Sequence, residues 1–439
     1  MKQLSVLFCF LFPLLLCAQS GGKFLIKAGK FFNSETGTFA NDMAILVDGA
    51  EIVSVKSFKQ LNENEKANRE LIDLSNATVL PGLIDAHTHL LYKEILFPEN
   101  PFPGLDLVKT LTLQGDAYRA IYGAARAKAY LEAGITGVQD LGNSGMFADV
   151  ALRKAIDEGI VIGPRMRCAG RGLSSEGGQI PGVIFKNRHI IDDEYRIVKG
   201  VDDAMQAVRE NITQGADVIK IFSNNTPNVT ALTIEEMRSI VREAHRYNIR
   251  VTAHATDNQA IHNAVIAGVD AIEHGYQVDD TTLSLMAKRG VFLIPTDGDS
   301  LVFGEIGKIV APNDPNVAKN IQAQRKFLGA RLMRAVKQGV TIVAGSDDYL
   351  DAHLPFSVPS KRTLIGYYES GMSIIEILRS ATIHAGVQVN AKNRIGVLKA
   401  GYLADIIAVD IDLDKNINAI MNVHFVMKDG RVFVHANKK

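Results

Sequence analysis

The sequence predicts an α/β protein: a (β/α)8 (TIM) barrel inserted into a small split β-sandwich. Three observations carry that prediction. Between residues 81 and 391, short apolar runs alternate with segments whose apolar residues recur at three- and four-residue spacing. About eight such runs occur, the strand number that closes a parallel barrel. Strand-rich texture flanks this region on both sides, at 20–80 and 392–439.

The chain opens with a different segment. Met1-Lys2-Gln3 gives a short basic start, Leu4 to Leu16 is almost wholly apolar, and Cys17-Ala18-Gln19-Ser20 follows. That is the layout of a secretory signal peptide over 1–19, and its apolar run is too short for a spanning helix. The expectation is export to a periplasmic or extracellular compartment, with no permanent membrane span. Cys17 opens a lipid-anchored alternative, although Leu16 stands where such signals favour Gly, Ala or Ser. Of the three cysteines only Cys168 lies beyond the leader, so no intrachain disulfide is expected. Cys168 reads as a buried small hydrophobe.

Residues 20–80 form the first part of the β domain. Phe24-Leu25-Ile26, Met43 to Val47 and Glu51 to Val55 are β-rich, and Asp48-Gly49 between the last two signals a tight hairpin. Helical period is expected only after residue 115. In the barrel region the strand candidates are 83–87, 135–141, 165–170, 218–222, 250–255, 271–275, 291–296 and 341–347. Helical segments are expected at 117–132, 146–158, 234–247, 258–267 and 317–338. Gly134, Gly159, Gly268, Gly290 and Gly339 stand where helices close before the next strand. Two long connections, 171–199 and 297–316, read as irregular loops over the C-terminal face, where substrate loops belong. After residue 392, strand texture returns at 404–409, 424–427 and 428–434, with a hairpin turn at Asp429-Gly430, and these strands are expected to pair with those of 23–80.

Charge excludes one function class. The 48 basic and 48 acidic residues cancel, so there is no excess to neutralise a nucleic-acid backbone. The chemistry-bearing residues lie at strand ends. In Asp85-Ala86-His87-Thr88-His89, side chains alternate, so His87 and His89 point the same way and can reach one metal ion at ~2.0–2.1 Å. Lys220 ends a strand in Val218-Ile219-Lys220-Ile221. A buried ammonium is costly, and one reading is a lysine carboxylated by carbon dioxide, able to bridge two ions. His254, His274 and Asp347 end the fifth, sixth and eighth candidate strands. Any one of them alone is more often a core histidine or a helix cap. Together, six metal-type side chains at one end of one barrel point to a metal centre.

Pro81 to His89, Ile272-Glu273-His274-Gly275, Gly345-Ser346-Asp347 and the tail Gly396 to Asp405 resemble the amidohydrolase superfamily. Within it the chain is most similar to the imidazolonepropionase-like branch, which includes prolidase-type dipeptidases and an ochratoxin-hydrolysing amidase. The resemblance implies two divalent ions, zinc first among candidates. His87, His89 and Asp347 would hold one and His254 and His274 the other, with carboxylated Lys220 between them. Gly177-Gly178-Gln179, Ser223 to Thr226 and Asp347-Asp348-Tyr349 depart from the branch pattern, which bears on substrate choice.

The expected reaction is hydrolysis of an amide C–N bond by metal-activated hydroxide, with Asp347 as the base, on dipeptides or N-acyl amino acids. The partner is then a small-molecule amide; a homo-oligomer is compatible with the sequence but not required by it. One alternative is a mononuclear, imidazolonepropionase-like cyclic-amide hydrolase in which Lys220 is an ordinary lysine. The other is a metal-binding barrel without activity.

Overall fold

Most barrel strands are short, largely apolar runs, several of which carry a polar side chain at or near their C-terminal end. In the computed structural model, which describes residues 22–98, 105–390 and 394–436, these runs form a closed ring. The expected leader and Cys17 lie outside the described residues. Leu83–Thr88 pairs in parallel with Ile135–Asp140, which pairs with Arg165–Cys168. The third strand breaks and resumes as Gly172–Ser174, where Leu173 meets Ile221 of Val218–Phe222. Arg250–Ala255, Ala271–His274 and Phe292–Ile294 follow in parallel register.

The eighth position, 341–347, is not a continuous strand, yet it seals the ring. Leu293 N donates to Thr341 O and Val343 N to Leu293 O; across the seam Ala86 N donates to Ala344 O and Asp347 N to His87 O, at 2.8–3.1 Å. It stays irregular because Ala344 N is taken by Ser380 O, and because Asp347 turns out of extended geometry with φ 55°.

Helices Asp116–Glu132, Ala148–Asp157, Ile234–Arg246, Asn258–Ala267 and Val317–Lys337 occupy the segments with helical period. Further details differ from the sequence reading: the connection 171–199 is not wholly irregular but carries the strands Gly172–Ser174 and Tyr195–Ile197 and the helix His189–Glu194. Helical structure begins before residue 115, at Glu63–Lys66 and Leu105–Leu113. The first is one turn held by an Asn62–Glu65 capping box, too short to show a period. The second mixes apolar residues with Asp106, Lys109, Thr110 and Thr112 in near alternation, which imitates a strand. The connection 297–316 contains the helix Ser300–Val310, started by Asp299, whose side chain accepts from Val302 N at 2.9 Å. Gly304 and Gly307 within it disguise its helical character.

The two ends of the chain build one seven-stranded sheet. Its order is Arg431–His435, Val423–Lys428, Ile406–Asp410, Glu70–Pro81, Lys23–Asn33, Thr38–Asp48, Glu51–Ser57. The halves meet where Ile406–Asp410 runs antiparallel to Glu70–Pro81. The far edge returns to the C-terminal half: Ile52 N donates to Tyr402 O, and Gly401 N to Ile52 O, both at 2.8 Å. The sandwich is thus a single sheet curled around Ile26, Ile45, Ile72, Val79, Ile406 and Phe425. Its longest strand ends at Pro81, and the first barrel strand starts at Leu83. Gly82 makes this junction close, since a Cβ there would lie 2.1 Å from Thr136 Oγ1. Cys168 is buried and free. Among the described residues no helix is long and apolar enough to cross a membrane.

Candidate active site

All six residues singled out in the sequence line one cavity of ≈ 340 Å³ at the C-terminal ends of the strands. His87 and His89 leave the first strand on the same side, with their Nε2 atoms 3.3 Å apart. Asp347 Oδ1 lies 3.4 Å from His87 Nε2 and 3.1 Å from His89 Nε2. Three donors around one ion at ~2.0–2.1 Å with tetrahedral geometry would stand about 3.3 Å from each other. His274 lies 5.2 Å from His87 and 4.6 Å from His254, centroid to centroid. Lys220 is buried, and its Nζ sits 5.4 Å from the centre of the Phe222 ring.

The trio's protonation follows from its outer partners. His87 Nδ1 faces Glu273 Oε2 at 2.6 Å, and His89 Nδ1 faces Gly142 O at 2.8 Å. A carboxylate and a carbonyl only accept, so each Nδ1 carries the proton and each Nε2 presents a lone pair. Two lone pairs and a carboxylate oxygen therefore converge, an arrangement that calls for a cation. The donor set fits a divalent metal ion of the zinc type.

The electrostatics of His87, His254 and His274 agree. Burial, and next the charge of Lys220, push His87 and His254 well below the ordinary imidazole value; burial and the neighbouring His254 do the same to His274. His89 is the exception: burial pulls it down, but its hydrogen bond to Asp347 and that carboxylate's charge raise it, so its Nε2 favours a proton that a bound cation would displace. Asp347 is held low: burial opposes its charge, and the imidazoles of His87 and His89 prevail. Burial depresses Lys220 against the pull of Glu273 and Asp347, which brings its amine closer to the neutral form that reacts with carbon dioxide. Burial pushes Glu273 up to about 7, so it acts as the pure acceptor for His87 Nδ1 only above that pH.

Several residues that the sequence reading left without a role support this arrangement. Glu273 orients His87 and also accepts from Thr252 Oγ1. Strand alternation would send Glu273 and His274 to opposite faces, but His274 has φ 68°, a left-handed turn that brings its ring back over the cavity. Arg126, buried on the helix Asp116–Glu132, donates to His89 O at 2.8 Å and Tyr92 O at 2.9 Å. It also pairs with Asp348 Oδ2 at 3.1 Å, and Tyr130 OH donates to the same oxygen. Asp348, read from sequence as part of a substrate-facing loop, is instead a buried brace between the His89 and Asp347 loops.

Asn224 and Asn225 are likewise structural: the first bonds Thr256, the second Ser174, Ser175 and Thr230. Of the three departures from the branch pattern, Gln179, Thr226 and Tyr349 reach the cavity wall. Gln179 Nε2 stands 2.8 Å from His254 Nε2.

Residues 78–433 match the model of the amidohydrolase family, and the chain belongs to that family. It is a hydrolase of a family in which metal dependence is typical. The chain is 28% identical over 388 residues to the ochratoxinase of Aspergillus niger, covering 81% of this chain and 75% of that protein. It is 24% identical over 420 residues to the imidazolonepropionase of Alkaliphilus metalliredigens, covering 89% and 90%. Among solved structures it is similar to a Xaa-Pro dipeptidase with methionine bound in the active site. The TM-score is 0.78 at 26% identity, over 94% of this chain and all of that one.

Proposed function

We propose that the chain is an exported, two-metal amidohydrolase that cleaves the C–N bond of small open-chain amides, dipeptides or N-acyl amino acids. One observation carries the metal reading: the lone pairs of His87 and His89 and the Asp347 carboxylate converge within 3.1–3.4 Å of one another. His87, His89 and Asp347 would hold one zinc-type ion. His254 and His274 would hold the second, and a carbamate formed on Lys220 would lie between them. When bound, the ions would lower the pKa of water and polarise the amide carbonyl.

The chain's own groups supply the rest. Asp347 is ionised at neutral pH, so it can accept a proton from water and pass it to the leaving nitrogen. Glu273 keeps the His87 proton on Nδ1 throughout. Tyr92, Tyr195, Phe222, Tyr276 and Tyr349 form apolar walls that hold the substrate and thin the water around the reacting bond. Similarity to a Xaa-Pro dipeptidase supports a peptide-like substrate. The charged start and the apolar run to Leu16 support export.

The one-metal, cyclic-amide reading is second. It is favoured by the single trio that comes within ligand range of one point among the described residues, and by similarity to imidazolonepropionase. The deciding test is hydrolysis by zinc-loaded protein of three sets: dipeptides, N-acyl amino acids and lactams. The proposal expects cleavage of open-chain amides, lost on chelation. Cleavage confined to cyclic amides would overturn it in favour of the second reading.

A further inference from the structure

A second cavity adjoins the candidate active site. It measures ≈ 430 Å³ and shares Tyr276, Asp347 and Tyr349 with the cavity that holds the histidines. All three are half-buried, so each keeps surface for a ligand. Much of its remaining wall comes from the helices Ser300–Val310 and Val317–Lys337.

The first of these helices is apolar without being covered. Its charged residues, Glu305 and Lys308, pair with each other at 2.7 Å, and Leu301, Val302, Phe303, Ile306, Ile309 and Val310 are apolar. Its buried residues are Val302 and Gly307. A helix this apolar ordinarily lies in a core. Gly307 sets it close against the next helix, since a Cβ there would lie 2.9 Å from both Val317 and Ile321. That contact leaves Val302, Phe303 and Ile306, which share one helical face by their spacing, to line the cavity. Phe327 and Leu328 line the same space from the second helix, and Phe327 is 53% exposed.

Little charge is left for a ligand to answer. Among the described residues that line this cavity the charged ones are Asp297, Asp347 and Asp348. Asp297 pairs with Arg331 at 2.6 Å and Asp348 with Arg126 at 3.1 Å, and both arginines are buried outside the lining. Asp347 stands at the junction, among the candidate metal ligands. Gln277 and Gln324, the exposed polar side chains, are neutral. An apolar group that covers wet apolar surface gains in proportion to the area covered. Each cavity by itself has the volume of an ordinary ligand pocket, and a substrate confined to the first would leave the second's apolar face in water.

We infer that the second cavity is a substrate subsite for a large, uncharged apolar group, aromatic or alkyl, carried on one half of the amide. Phe303, Ile306 and Phe327 are its specificity-determining residues. This rests on the amide-hydrolase reading and narrows it, from small dipeptides to amides with one bulky apolar half. The scissile bond would sit at Asp347, and the group would run past Tyr276 and Tyr349, the walls both cavities share.

The test uses zinc-loaded full-length protein: wild type, Ile306→Trp, which fills the subsite, and Ile306→Asp, which puts a charge in its wall. Circular dichroism checks that both variants are folded. The substrates are two dipeptide series, Xaa-Gly and Gly-Xaa, in which Xaa is alanine, norvaline, norleucine or phenylalanine. In one series wild-type kcat/KM should rise by about fourfold per added methylene, mainly through KM. Both variants should cut the ratio of the norleucine to the alanine member by about tenfold.

The second measurement is calorimetric binding of phosphinic isosteres of the alanine and norleucine members of each series. The norleucine isostere of one series should bind more tightly, and Ile306→Trp should remove most of the difference. If nothing is hydrolysed but this difference appears and depends on Ile306, the hydrolytic reading fails and the subsite stands. Flat rates and affinities in both series, or a rise that both variants leave intact, would overturn it. Flat series together with a dimer that Ile306→Asp dissociates would give this face to a second copy of the chain and overturn it too.

Discussion

Replacing Glu273 by glutamine tests how the protein prepares His87 as a ligand. Glu273 is fully buried, and His87 Nδ1 donates to its Oε2 at 2.6 Å. That bond keeps Nε2 free of a proton, facing His89 and Asp347. A hydrogen bond to a charged group contributes roughly 1.5–3 kcal/mol, and one between neutral groups roughly 0.5–1.5. Glutamine keeps the shape and loses the charge, so the tautomer preference weakens by about 1–1.5 kcal/mol. At about 1.4 kcal/mol per decade this is about a tenfold loss of zinc affinity. Glu273→Leu removes the acceptor altogether and should cost up to about 100-fold. Competition against a chromogenic chelator reads the affinities, and circular dichroism checks that both variants are folded. Unchanged zinc affinity in Glu273→Gln, or a Leu variant no weaker than the Gln variant, would refute this role.

Asp347→Asn should lower kcat by about 10²-fold or more while only partly reducing zinc content, because an amide can still coordinate but cannot accept a proton. Wild-type turnover at full metal content would remove Asp347 from the base role. Lys361 is buried beneath Met421 O, and burial depresses its ammonium from 10.5 to about 8. As pH falls from about 10.5 to about 8, the unfolded chain takes up a proton that the folded chain refuses, so stability drops by about 3 kcal/mol over that window. Lys361→Met should lack this slope in urea unfolding; identical slopes in both proteins would contradict it. N-terminal sequencing of the protein recovered from its native compartment should begin near residues 18–21, and an intact Met1 would overturn export.

What was legible in the sequence is what repeats. Most barrel strands are short apolar runs with a helical period beside them, so the strands that carry His87, Lys220 and His254 could be located from pattern alone, although Lys220 lies in the middle of its strand and not at the end. What was not legible depends on contacts distant in sequence or on single dihedrals. Glu94 sits in Tyr92-Lys93-Glu94-Ile95, which reads as an ordinary loop until the ladder to Leu350 and Asp351 buries it. Arg126 reads as a cation on a helix surface, yet the backbone of His89 and Tyr92 and the carboxylate of Asp348 take it inward. Glu273 was hidden by strand alternation, which the left-handed turn at His274 breaks. The eighth strand was legible as apolar texture, but its irregular hydrogen bonding follows from Ser380, which lies beyond two intervening helices.

The central claim is a two-metal site built on a carboxylated Lys220, and counting ions tests it most directly. Wild type and Lys220→Ala would be purified with bicarbonate, saturated with zinc, freed of excess and measured by inductively coupled plasma mass spectrometry. A carbamate offers a negative bridge where a free ammonium would repel both ions. The account expects about two ions per wild-type chain and about one or fewer in Lys220→Ala, with propionate restoring some of the second ion by filling the vacated space. About one ion per wild-type chain at saturating zinc, unchanged by Lys220→Ala, would contradict it.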